Sequence, residues 1–357
     1  MRVLHAPITA LYQPSLMVRA LREIGVEADI MLHHAGHQDY RFTLDDQIIL
    51  GTGDLASVTI DFFLQALDRY DVVHLHSGYS LLCQSRKGKE FGFLARAGKL
   101  VVLSRWGCSD GHPPSLWFAR RGLCDICPVP RNACNDTLAA ARLEREDRHA
   151  DIIINHEMDH NGFNHRAVFM HGLIDLDFWS PDLKIPTDRL APRAPGALRV
   201  LHAVGGNNRG DVKGSSAVRA ATEALSAQGL LLEYDEVTGI PFHELRWRIL
   251  QADIVVDQLR YGSFGSFARE ALALGKPVLG HVIEEQRRQL PGLPIVETTS
   301  QTIAEALGRL AADPAERERL GREGREYACA NFSHKQGAAF LAELYRAGIQ
   351  EKRHGLA

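Results

Sequence analysis

The sequence of 357 residues contains no apolar run near the ~18–20 residues that a membrane span requires, so no spanning helix is expected. It has no excess of one charge. The 41 Lys and Arg stand against 44 Asp and Glu, a net of −3 with His neutral, which excludes coating of nucleic acid by bulk charge. No basic region followed by an apolar stretch opens the chain. Met1-Arg2-Val3-Leu4-His5-Ala6-Pro7 runs directly into a strand pattern, and a cytoplasmic protein is the expectation. No G-x-G-x-x-G follows that strand, where Ala6-Pro7-Ile8-Thr9-Ala10 stands instead; this argues against a dinucleotide-dependent oxidoreductase. Six Cys in a chain this long make no disulfide scaffold.

What is present is globular: 45% hydrophobic and 24% charged residues, at a length that suggests about two domains. Short apolar runs at Arg2–Ala6, Glu27–Leu32, Val72–His76, Leu100–Ser104, Asp151–Asn155 and Ala167–Met170 read as strands. Leu16–Leu21 and Leu55–Tyr70 carry the helical period between them. Pro181, Pro186, Pro192 and Pro195 mark a linker. The pattern then restarts with strands at Leu198–Val204, Leu230–Tyr234, Asp253–Asp257, Pro277–Val282 and Ile295–Val296. Such alternation predicts an α/β protein with parallel sheets. Arg2-Val3-Leu4-His5-Ala6 recurs letter for letter at Arg199-Val200-Leu201-His202-Ala203. Either buried first strands are simply alike, or each copy opens one Rossmann-like half of a two-domain protein with a ligand cleft at the strand ends. The expected domains are 1–180, with a Cys-rich loop over 105–136; a linker over 181–197; 198–330; and a helix over 331–357.

The most informative segment runs from the apolar Ile254-Val255-Val256 through Gly262-Ser263-Phe264-Gly265-Ser266-Phe267 to Glu270 and Gly275-Lys276-Pro277-Val278. A buried strand ends in a Gly/Ser loop from which a helix starts. Free amides at Gly265, Ser266 and Phe267 with the helix dipole behind them form an anion site, and Glu270, one turn in, can reach a ribose diol. The plainer alternative is an ordinary glycine turn followed by a solvated Glu. A second segment, His202-Ala203-Val204-Gly205-Gly206-Asn207-Asn208-Arg209-Gly210-Asp211-Val212-Lys213-Gly214, ends a strand in a flexible loop with two cations. Arg as a fork and Lys as a point charge suit a phosphate pair.

The first of these segments resembles the nucleotide-sugar motif of retaining glycosyltransferases of family 4, where a Phe-Gly loop precedes Glu-Ala-x-Ala-x-Gly-x-Pro-Val. The second resembles that family's Asn-Arg-(few)-Lys-Gly. The resemblance implies the GT-B fold: two Rossmann-like domains facing across a cleft, with a C-terminal helix returning to the N-terminal domain. It implies a donor nucleotide-diphosphate sugar, a UDP- or GDP-sugar, and a hydroxyl acceptor on a glycan or small molecule. It assigns Arg209, Lys213 and Glu270 to catalysis, and Gly206, Asn207, Gly265, Ser266 and Phe267 to donor binding, with no catalytic divalent ion. The family commonly has a second Glu eight positions before Glu270, where this chain has Gly262. Many relatives carry a His near the reacting centre where this chain has Trp106, and acceptor contacts are therefore expected from His76, Arg105 and Asp110. A GT-B epimerase of nucleotide sugars and a non-catalytic, metal-containing nucleotide-binding protein are the alternative readings. No nucleic-acid partner is expected, and peripheral membrane contact stays open.

Cys108, Cys124, Cys127 and Cys134 crowd a Pro-rich loop. The C-x-x-C bite and two further thiols suit a closed structural zinc site. Free thiols, or an iron–sulfur cluster or redox disulfide, are the other readings. His33, His34 and His37 have no fourth partner in view and read as a solvated loop.

Overall fold

The computed structural model describes residues 1–8, 12–33, 46–50, 55–82, 90–106, 135–156, 167–204 and 211–355. The described residues form two compact units, one drawn from 1–173 and 334–355, the other from 174–333.

In the first unit the chain runs β1 (Arg2–Ala6), α1 (Gln13–Glu23), β2 (Glu27–Leu32), β3 (Ile48–Ile49), α2 (Leu55–Arg69), β4 (Val72–His76), α3 (Phe91–Arg96), β5 (Leu100–Arg105), α4 (Asp136–His149), β6 (Ile152–Asn155) and β7 (Ala167–Phe169). The strands make one parallel sheet in the order β3-β2-β1-β4-β5-β6-β7. They read as unbroken apolar runs because helices cover both faces of such a sheet. Leu4, Val73, Leu75, Val101 and Leu103 pack with Phe91 and Leu94 of α3 in its core. Asn135 caps α4, its side chain accepting the Leu138 N–H at 2.8 Å.

The second unit runs β8 (Leu198–Ala203), α5 (Ser215–Ala227), β9 (Leu232–Val237), α6 (Phe242–Gln251), β10 (Ile254–Val256), α7 (Ser266–Ala273), β11 (Val278–Gly280), α8 (Glu284–Gln289), β12 (Ile295–Glu297), α9 (Ile303–Ala312) and α10 (Pro314–Asn331). Its parallel sheet has the order β12-β11-β10-β8-β9. Val200, Ile254, Val256 and Leu279 meet Val218 of α5 and Leu307 and Leu310 of α9. Asp313 caps α10 by accepting the Glu316 N–H at 2.9 Å, with Pro314 in the first turn where its missing donor costs nothing.

The two copies of Arg-Val-Leu-His-Ala are β1 and the body of β8. Each occupies the position where its sheet reverses strand succession, β1 between β2 and β4 and β8 between β9 and β10. In open α/β sheets ligands bind at the carboxyl ends of the strands flanking that reversal.

The Pro-rich stretch expected as a linker over 181–197 is instead fastened to the second unit. Arg189 pairs with Glu244 and Arg193 with Asp253. The Ala191 N–H donates to Gln251 Oε1 at 2.8 Å, and Arg199 Nη2 to the Pro192 carbonyl at 2.6 Å. Proline removes its own donor, but the carbonyls and flanking amides still need partners, which α6 and β8 supply. Just before this stretch, Trp179 is fully buried and meets Phe242 edge-on at 4.9 Å. Among the described residues the chain passes between units at 173/174 and again at 333/334.

The last helix, α11 (His334–Gly355), belongs to the first unit. Gly337 is needed there because a Cβ would lie 2.2 Å from Leu173 Cδ2, and at Gly348 one would lie 2.8 Å from Leu100 Cδ1. Lys352 Nζ donates to Asp151 Oδ2 at 2.6 Å and to the Lys99 carbonyl at 2.7 Å. Among the described residues no helix is long and apolar enough to cross a membrane.

Candidate functional site

The carboxyl edge of the second sheet at its reversal point carries Lys213, Gly265, Ser266, Phe267 and Glu270, the described residues among those the sequence assigned to the donor. β8 and β10 are neighbours there, in register through Val256 and His202. Gly206, Asn207 and Arg209 follow β8 and lie outside the described residues. Description resumes with Asp211, whose carboxylate accepts from Arg260 Nη1 at 2.6 Å and from the Ser216 hydroxyl at 2.5 Å. Both contacts hold its pKa below the usual carboxylate range, the hydroxyl most strongly.

Lys213 turns inward. Its Nζ donates to the Ala203 carbonyl at 2.9 Å, the last residue of β8, and stands 3.8 Å from Asp257 Oδ1. The next residue, Gly214, has φ +81, and a Cβ there would come within 2.9 Å of Leu259 Cβ. The turn that aims Lys213 back at the sheet edge therefore requires glycine, both for its left-handed backbone and for the close approach. The Leu259 N–H donates to the Lys213 carbonyl at 3.0 Å, which ties this turn to the exit of β10.

Asp257 follows β10 directly and is 1% exposed. Its Oδ2 accepts the Gly265 N–H at 3.0 Å. Burial raises its pKa above the ordinary carboxylate value, while Lys213, the Gly265 amide and Arg269 act in the opposite direction. Asp257 thus fastens the Gly/Ser loop to the strand end, and the Gly265 amide is taken by the protein itself. Of the three expected anion-facing amides, Ser266 and Phe267 head α7 beyond it. Behind the loop, the Arg269 guanidinium lies 5.1 Å from the Phe264 ring and 5.9 Å from that of Phe332, a cation–π clamp. Glu270, one turn into α7, is buried at 3% exposure. Gly262 has φ +71 and is buried. The chain crosses there in a conformation that a glutamate would adopt only under strain.

His202, at the end of β8, was not anticipated. Its Nδ1 lies 2.9 Å from the Val256 carbonyl and its Nε2 2.8 Å from the Ser215 hydroxyl. A carbonyl only accepts, so Nδ1 carries the proton and Nε2 accepts from Ser215. Burial pushes its pKa down to about 4, and the neutral ring locks the start of α5 to β8 and β10.

In the first unit, Arg105 and His76 are both buried and both engaged. Arg105 donates from Nε (3.1 Å) and Nη2 (2.6 Å) to Glu146 Oε2, and the two side chains are 1% and 0% exposed. His76 accepts from the Trp106 indole at 3.1 Å. Asp110 and the four clustered cysteines lie outside the described residues, as do His34 and His37. His33 is buried with Nε2 2.9 Å from the Ser80 carbonyl, a loop anchor rather than a solvated ring. Asp257 and His202 were legible only as polar residues ending apolar strands; that position at a sheet reversal is the signal that marks them.

No protein-family model matches this chain, and no curated protein matches it. Solved structures do. Sucrose-phosphate synthase from Thermosynechococcus elongatus superposes with a TM-score of 0.67 at 17% identity, over 97% of this chain and 98% of that one. The Anabaena protein HepE in complex with UDP-glucose gives 0.63 at 12% identity, over 97% and 99%. The catalytic domain of starch synthase IV from Arabidopsis thaliana, bound to ADP and acarbose, gives 0.61 at 12% identity, over 98% and 99%. The chain has the α/β architecture of these structures, the GT-B fold.

Proposed function

We propose that this protein is a retaining glycosyltransferase that moves a hexosyl group from a UDP- or GDP-sugar to a hydroxyl of a glycan or small molecule. One observation carries the reading: a single sheet edge, at the reversal point of the second unit, brings together the Lys213 ammonium and the head of α7 with Glu270. Among the structures of the same fold, one was solved with UDP-glucose and one with ADP.

Each part has a task in that chemistry. The transition state is oxocarbenium-like, and negative charge builds on the departing diphosphate. Lys213, Arg209 and the Ser266 and Phe267 amides stabilise that charge, and Glu270 holds the ribose diol. Asp257 works one step back. By taking the Gly265 amide it fixes the first turn of α7, so the remaining amides need no reorganisation when charge develops. In this reading the acceptor hydroxyl passes its proton to the leaving phosphate, and no side-chain base is required.

The test is thermal unfolding of the full chain with excess UDP, GDP and ADP in turn. A nucleotide at about 100 times its Kd adds roughly 2.7 kcal/mol, which in a chain of this size is a rise of a few degrees in Tm. The reading expects the rise with one nucleotide and its loss in Glu270→Ala. No rise with any of the three overturns it.

A further inference from the structure

Four buried histidines of the first unit, absent from the proposed activity, form a chain of hydrogen bonds whose every proton can be placed. Trp106 Nε1 lies 3.1 Å from His76 Nδ1, and His76 Nε2 lies 3.1 Å from His5 Nδ1. His5 Nε2 lies 3.5 Å from the Tyr345 hydroxyl, which lies 2.6 Å from His74 Nδ1. His74 Nε2 lies 2.7 Å from Ser104 Oγ, Ser104 Oγ 2.9 Å from His156 Nε2, and His156 Nδ1 3.0 Å from the Met170 carbonyl. His5, His74, His76, Ser104 and Tyr345 are fully buried, and His156 nearly so.

The two ends fix everything between them. An indole N–H only donates and a carbonyl only accepts. From the Met170 end, His156 must carry its proton on Nδ1, so its Nε2 accepts from Ser104. Ser104 then accepts from His74 Nε2–H, so His74 Nδ1 accepts from the Tyr345 hydroxyl. Tyr345 accepts from His5 Nε2–H, and His5 Nδ1 accepts from His76 Nε2–H. His76 Nδ1 is left to accept from Trp106, as the other end demands. All four rings are neutral, all seven bonds point one way, and a further proton on any ring sets a donor against a donor somewhere along the row. Neither end titrates, so the row cannot pass protons to or from solvent. It can only hold its members in place.

What it holds is α11. Tyr345 is that helix's contribution, placed between His5 and His74 of adjacent strands, which are themselves in register. We infer that this one-directional row of neutral imidazoles is a proton-sensitive latch, which fixes the C-terminal helix on the first sheet and takes up protons when the helix leaves. The inference is independent of the proposed sugar transfer.

The surroundings support it. Burial pushes the pKa of His5 down to about 3 and those of His74 and His76 well below the ordinary value, with the neighbouring rings adding to the fall for His74 and His76. Burial likewise raises the Tyr345 phenol, keeping it protonated. The groups acting on these rings from β1, β4 and the end of β6 are one another; β5 offers the Ser104 hydroxyl and α11 the Tyr345 phenol. Elsewhere, among the described residues, α11 is held by charge near its ends, by His334 Nε2 3.3 Å from Glu23 of α1 and by Lys352 on Asp151. The sign follows. A ring with a depressed pKa in the closed state binds its proton only once exposed, so opening is favoured as pH falls below about 6.5.

His5, His74 and His76 also have ring nitrogens close enough together for one metal ion. The bond directions argue otherwise, since each of those nitrogens already has a hydrogen-bond partner. The experiment separates the two. Nitrogen-15 spectra of histidine-labelled full chain at pH 7.5 should show Nε2–H tautomers for His5, His74 and His76 and the Nδ1–H tautomer for His156, with resonances assigned by single substitutions. Amide exchange of α11, corrected for intrinsic rate, is then followed from pH 7.5 to 5 in the His334→Asn background, which removes the one other histidine contact of this helix named above. His5, His74 and His76, each acquiring a proton on opening, steepen the opening constant towards about 10³-fold per pH unit as pH falls well below about 6.5. Tyr345→Phe should loosen α11 already at pH 7.5 and release the His74 tautomer. A cationic ring or an opposite tautomer at pH 7.5, an opening constant that follows one proton or none, or one zinc ion per chain bound through these rings, each overturns the latch.

Discussion

Lys213 and Asp257 face each other at 3.8 Å on the edge of the second sheet, the acid buried and the cation anchored on the last carbonyl of β8. Neither is spent on the other at hydrogen-bond distance. Lys213 is thus held in place with its charge only partly compensated, as a phosphate-binding cation needs to be.

Lys213→Ala should therefore weaken nucleotide binding by about 1.5–3 kcal/mol, the usual worth of a hydrogen bond to a charged group. Titration with the nucleotide that raises Tm measures it, and unchanged affinity would remove Lys213 from the donor site. Some stability goes with it, because the Ala203 carbonyl loses its donor.

Asp257 separates charge from hydrogen bonding. Asp257→Ala orphans the Gly265 N–H and should cost about 1–3 kcal/mol of stability. Asp257→Asn keeps an acceptor and should cost much less. Because burial raises the carboxyl pKa, its contribution to stability is fullest below the unfolded value near 4 and declines as pH rises through the folded value. The Asn variant should lose that decline, read as Tm against pH relative to wild type. Equal pH profiles would show that Asp257 does not ionise differently in the folded chain.

Gly262 holds φ +71, so Gly262→Ala should cost about 1–2 kcal/mol from backbone strain alone. Gly262→Glu should cost more, since a charge is added at a buried position, and should not raise activity. Denaturant unfolding of both variants checks the order. A Glu variant as stable as wild type would mean that the loop can turn over freely.

Arg105 and Glu146 form a pair with almost no exposure. Glu146→Leu should cost about 3–5 kcal/mol, because the Arg105 charge stays buried without this counterpart; Arg105→Met should cost less, since Arg142 Nε also stands 4.0 Å from Glu146 Oε1. The double variant should recover most of that loss. Additive losses in the double-mutant cycle would contradict a coupled pair.

Much of the architecture was written in local pattern. Apolar runs of four to six residues between helical periods specify parallel strands whatever surrounds them, because only a sheet covered on both faces buries such a run. The loop from Val256 to Glu270 was legible for the same reason: a strand, a Gly/Ser turn and a helix start are each local events. In sequence the Pro-rich stretch reads as a linker, because proline reports only a missing donor. Whether a neighbour satisfies the flanking amide and carbonyl is settled by Gln251, some sixty positions away, which accepts from the Ala191 N–H and donates to the Arg189 carbonyl.

The sequence by itself determined the α/β class, the two halves and the repeated first strand. Those follow from periodicity and from the residue types that tolerate a buried strand. What the repeated histidine does was decided only by the tertiary structure. In β8 the ring of His202 closes on a backbone carbonyl and a serine within its own unit's sheet edge. In β1 the identical residue, His5, meets two histidines of β4 and a tyrosine 340 positions away. A side chain's protonation and role depend on what reaches its two nitrogens through space, and identical pentapeptides carry no information about that.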